Sequence, residues 1–96
     1  MDGVDEYDIT GDILMTIEEA LSELTNPKDV RFQRALRICE TFFGAPRVRG
    51  SHHIFKMPWP GDPRINLQRD GSKVKPYQVR DIVRALERLR LEGGKK

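Results

Sequence analysis

The sequence predicts a small α+β domain with helices packed on one face of an antiparallel sheet. Segments before residue 44 and after residue 75 carry apolar residues at steps of three and four, the spacing of an amphipathic helix. The stretch between them mixes short alternating apolar runs with glycine and proline, the texture of strands and turns. At 96 residues there is room for a single core.

Residues 1–12 carry acids and few apolar side chains and are expected to form a mobile tail. Ile13, Leu14, Ile17, Leu21 and Leu24 then share a helix face, with Glu18 and Glu19 behind Thr16 at the positive end of the dipole. A second helix is expected from Pro27 or Lys28 to Phe43, capped by Asn26 and closed by Gly44. Its apolar stripe contains Cys39, which reads as a small core residue.

Ser51 to Met57 predicts a strand. The proline-rich stretch from Pro58 to Pro63 is the connection of a hairpin, and Arg64 to Arg69 is the returning strand. On that strand Ile65 and Leu67 point one way and Asn66 and Gln68 the other. Asp70-Gly71 marks a turn, after which Lys73 to Lys75 would add a short edge piece. The last helix starts at Pro76, buries Val79, Ile82, Val83, Leu86 and Leu89, and ends at Gly93-Gly94. These elements divide the chain into an acidic tail and short helix (1–26), a main domain (27–92) and a loose basic end (93–96).

The net charge of +2 conceals a sharp split. Residues 1–26 hold eight acids and no Lys or Arg. The remainder holds all 17 Lys and Arg against seven acids, a net +10. Such a split points to a polyanion partner, with RNA the leading class. The acidic segment could also fold back over the basic surface and tune access to it. No apolar run is long enough for a membrane span. One cysteine excludes an internal disulfide and fits a cytoplasmic setting.

The chemistry concentrates between Arg47 and Lys56. His52 and His53 are adjacent, so on a strand they face opposite ways and at most one can be a general base at a given site. Arg47, Arg49 and Lys56 flank the pair and are candidates for phosphate contacts, as are Lys73 and Lys75. Gly50 and Ser51 open the strand, where a glycine permits close approach by a ligand. An imidazole can take the proton from a ribose 2′-hydroxyl near neutral pH without a metal. No spacing of His, Cys or carboxylates suggests a metal site, and no cofactor motif is present. Trp59 reads either as a base-stacking side chain or as a loop anchor. Arg80, Arg84 and Arg88 read either as a phosphate ridge or as a solvated helix face.

Gly50-Ser51-His52-His53-Ile54-Phe55, followed by a hairpin and by Lys75-Pro76-Tyr77-Gln78-Val79-Arg80-Asp81-Ile82 at a helix start, resembles the HicA toxin family. The resemblance spans about Lys28 to Leu89. It implies a fold like a double-stranded-RNA-binding domain (α-β-β-β-α), preceded here by an extra N-terminal helix. It further implies a metal-independent mRNA interferase activity and a HicB-like antitoxin partner. By this likeness His52 is the first choice for the general base and His53 the second. The chain departs from the family pattern in its acidic segment, and in Gln68 and Arg69, where many members carry a proline and a further histidine. Two other classes stay open: a non-catalytic RNA-binding module, and a protein-interaction domain whose basic face meets an acidic partner.

Overall fold

The computed structural model describes residues 15–61 and 63–93. Three helices and short antiparallel strands share one core. The expected tail 1–12, Ile13, Leu14 and the last basic residues lie outside the described residues.

Helix α1 spans Ile17–Glu23. Thr16 caps it: its hydroxyl accepts from the Glu19 amide at 3.0 Å, and the Glu19 carboxylate accepts from the Thr16 amide at 2.9 Å. This reciprocal box satisfies two amides that a helix start leaves without partners. Ala20 and Leu24 are buried in the common core, and Arg90 of the last helix reaches Glu18 at 3.7 Å, so α1 is built onto the domain.

Helix α2 runs Phe32–Phe43, starting later than its N-terminal proline suggests. Residues 26–29 instead form a turn, with the Asp29 amide donating to the Asn26 carbonyl and the Lys28 amide to the Asn26 side chain. The delay has a backbone cause. The Val30 carbonyl accepts from the Val74 amide at 3.1 Å and the Phe32 amide donates to the Ser72 carbonyl at 2.9 Å, so this segment is extended against another strand. Gly44 closes α2 with a positive φ of 87°.

The sheet has the order β1 (Arg47–Arg49), β2 (His52–Lys56), β3 (Arg64–Leu67), all antiparallel. Its third strand therefore precedes the histidines, where none was expected. Arg49 pairs with His52 across a tight turn at Gly50-Ser51, and Gly50 has φ 58°. Two-residue hairpin turns need a positive φ at their first central residue, which glycine supplies. No protein atom lies within 4 Å of where a side chain at Gly50 would stand, and the positive φ of the turn is by itself a reason for glycine there.

The strand expected over Arg64–Arg69 breaks at Gln68. There the backbone amide donates to the Gln78 side chain at 3.3 Å instead of to a strand. The chain then leaves the sheet and forms a separate ribbon, β4 (Arg69–Asp70) with β5 (Lys73–Val74), around Gly71. The Lys73 segment is thus the second strand of this ribbon and not an edge of the main sheet. Helix α3, Pro76–Gly93, begins at its N-terminal proline as expected and buries Val79, Ile82 and Leu86.

Candidate nucleic-acid interface

Strand alternation sorts the sheet into two unlike faces. Phe55, Ile65 and Leu67 point to the helices and are buried, and His53 shares their side through its pairing with Leu67. On the opposite side Arg47 and Arg49 of β1 stand beside His52, Ile54 and Lys56 of β2, through the pairs Arg47–Ile54 and Arg49–His52. Strand β3 adds Asn66 beside Ile54 and Arg64 beside Lys56. Among the described residues the face carries four Arg or Lys side chains and no carboxylate. Arg47, Arg49 and Lys56 make no ion pair among the described residues.

The two histidines diverge as adjacent strand residues must. His52 is half-buried on the open face, its Nδ1 lying 3.0 Å from Nδ2 and 3.2 Å from Oδ1 of Asn66. This contact orients the ring through Nδ1 and does not engage Nε2. His53 meets Phe32 edge-on, with ring centroids 5.2 Å apart. Its Nδ1 is buried and has no hydrogen-bond partner among the described residues. The Arg69 guanidinium lies over the Phe32 ring at 4.4 Å.

The remaining candidates separate in space. Ser51 sits in the turn and its hydroxyl accepts from Gln68 Nε2 at 3.2 Å. Gln68 in turn reaches the buried Gln78, whose amide nitrogen approaches the Tyr77 hydroxyl at 3.4 Å, so side chains tie the β1–β2 turn to the start of α3. Lys73 and Lys75 are not brought to the open face by strand pairing: Lys73 belongs to the ribbon and Lys75 follows it. Lys73 pairs with Asp29 at 3.0 Å, and the hydrogen bond and charge of Lys73 hold the Asp29 carboxyl below its ordinary range.

On α3, Arg84 pairs with Asp81, and Arg88 with Glu92, so the ridge is partly neutralised. Trp59 is half-buried between Phe43, at 6.3 Å centroid to centroid, and the Arg88 guanidinium at 4.6 Å, which is the arrangement of a loop anchor. Cys39 is fully buried, and desolvation, with a smaller contribution from the Glu40 charge, pushes its thiol up to about 12. Among the described residues no three His, Cys, Asp or Glu side chains gather as a metal donor set, and no helix is long and apolar enough to cross a membrane.

Sequence reasoning placed the histidines, Arg47, Arg49 and Lys56 in one site but missed Asn66 and Arg64. Alternation alone put Asn66 opposite Leu67. Seeing it beside His52 required the register of β3 against β2. Comparison with protein-family models, with curated proteins and with solved structures finds no match to this chain.

Proposed function

We propose that the open sheet face binds RNA and cleaves it without a metal, with His52 as the general base, as in a toxin of the HicA type. The observation that carries this reading is the placement of an oriented imidazole on a cationic surface that holds no carboxylate among the described residues. Nδ1–H of His52 donates to Oδ1 of Asn66, leaving Nε2 as the acceptor. Nε2 takes the proton from a ribose 2′-hydroxyl, and the 2′-oxygen attacks the adjacent phosphorus. The P–O5′ bond breaks, the 5′-oxygen leaves as an alcohol after protonation from solvent, and a 2′,3′-cyclic phosphate remains. Arg49, paired directly across from His52, and Arg47 stabilise the added negative charge on the phosphorane oxygens.

The order α2-β1-β2-β3-α3 follows the plan of a double-stranded-RNA-binding domain, with the ribbon β4–β5 inserted and α1 added. A cationic surface of this kind suits an acidic antitoxin of the HicB type, which would silence the protein by covering it in the cytoplasm.

A second reading rests on the shorter 3.0 Å approach of Asn66 Nδ2 to His52. If that amide donates to Nδ1, the proton sits on Nε2 and His52 is a phosphate donor in a non-catalytic RNA-binding module. The two readings separate in a cleavage assay with chelator present. The enzymatic one expects new 5′-hydroxyl and 2′,3′-cyclic phosphate ends, and none from a strand with 2′-O-methyl groups throughout. Salt-sensitive binding with no new ends would select the second reading. Neither binding nor cleavage at moderate salt would leave a protein-interaction domain.

A further inference from the structure

We infer that the open face carries a subsite for one unstacked nucleobase, in the concavity of about 210 Å³ bounded by Phe43, Ala45, Arg47, Ile54, Lys56 and Arg64. This rests on the RNA-binding reading above and goes beyond it by naming what part of the RNA enters and where.

The concavity is not a simple anion hole. Ile54 forms an apolar floor in the middle of a cationic face, where charged or polar side chains occupy the neighbouring sheet positions. Phe43, the last residue of α2, and Ala45 supply an apolar wall from outside the sheet. Arg47 and Lys56 stand on either side of that floor, one on β1 and one two residues along β2. A flat ring with a phosphate attached matches this composition: the ring lies against Ile54 and Phe43, and the phosphate meets the cations. A planar guanidinium such as that of Arg47 can also stack on a base.

Position supports the same assignment. Ile54 lies two residues along β2 from His52, about 7 Å at the rise of a strand. A strand whose reacting phosphate lies at His52 therefore presents a neighbouring base at the concavity. Bases of a duplex are stacked inside it and cannot enter. The site thus selects single-stranded RNA, even though the order of elements follows a double-strand reader.

The test uses the full chain and short 2′-O-methyl single strands, in which one nucleotide at a time is abasic so that every phosphate is kept. One abasic position is expected to lower affinity about tenfold, the effect of losing one packed base. Ile54→Ser should bind the intact strand about as weakly and lose its sensitivity to that abasic position, with thermal unfolding confirming its fold. Because Trp59 packs against Phe43, the intact strand should also change tryptophan emission in the unaltered protein, and the critical abasic strand should not. Binding that is equal for every abasic strand overturns the subsite and leaves the RNA-binding reading intact. So does a penalty that persists undiminished in Ile54→Ser. Failure of all single strands to bind at low salt overturns both.

Discussion

His52 and His53 are neighbours in the chain, yet they occupy opposite environments. One stands among cations with a polar partner at Nδ1. The other is wedged against Phe32, and its Nδ1 has no partner among the described residues. A pleated strand imposes that divergence on any adjacent pair. The identity of a residue therefore says less about its role than the parity of its position. The even-numbered residues of β2 and β3 meet the solvent side and, apart from Ile54, are polar or cationic, while the odd-numbered ones face the helices.

Breaking one side should leave the other intact. The largest effect on stability is expected from the core face: Phe55→Ala should cost about 3–5 kcal/mol in denaturant unfolding, because a fully buried ring leaves a cavity. Asn66→Ala, one position off in register on the open face, should stay within about 0.5 kcal/mol in the same measurement. It should lower RNA cleavage, because it frees the His52 ring to turn.

His53→Phe sharpens the contrast. It keeps an aromatic edge against Phe32 and removes a polar ring nitrogen whose burial without a partner costs about 1–3 kcal/mol. Unfolding experiments should show unchanged or raised stability, and a clear loss would mean that His53 has a polar role.

Salt dependence of RNA binding separates the cations. Arg47→Ala and Arg49→Ala should each reduce the slope of log affinity against log salt by about one. Lys73→Ala should change it little, because Asp29 already engages that ammonium.

A modest effect is expected on the pH dependence of stability. The Cys39 thiol is held protonated in the fold up to about 12, whereas an exposed thiol ionises near 9. Its contribution is complete below the unfolded value and is lost as pH rises from there toward the folded value. Stability should fall by about 1 kcal/mol near pH 10, and Cys39→Ala should flatten that part of the profile.

Much of the molecule could be read from residue spacing. Thr16 with Glu18 and Glu19 marked the α1 start, and Pro76 with Val79, Ile82 and Leu86 marked α3, because local capping and helical periodicity need no distant partner. Strand β1 was invisible: Arg47-Val48-Arg49 is short and exposed, and it is a strand only through its pairing with β2. The late start of α2 likewise depends on Val30 and Phe32 bonding to the ribbon 40 or more residues away. At the site, the opposition of the two histidines was legible, but the place of Asn66 depends on register between strands, and the concavity over Ile54 on that register together with the end of α2.

The most direct measurement is RNA cleavage with chelator present, comparing the unaltered protein, His52→Ala and His53→Phe. His52→Ala should lose about 10²–10⁴-fold in rate, as expected for removal of a general base, while retaining its fold and salt-sensitive binding. His53→Phe should cleave at nearly the original rate. Loss of cleavage in His53→Phe with His52→Ala unimpaired would contradict it and move the chemistry to the helix side of the sheet.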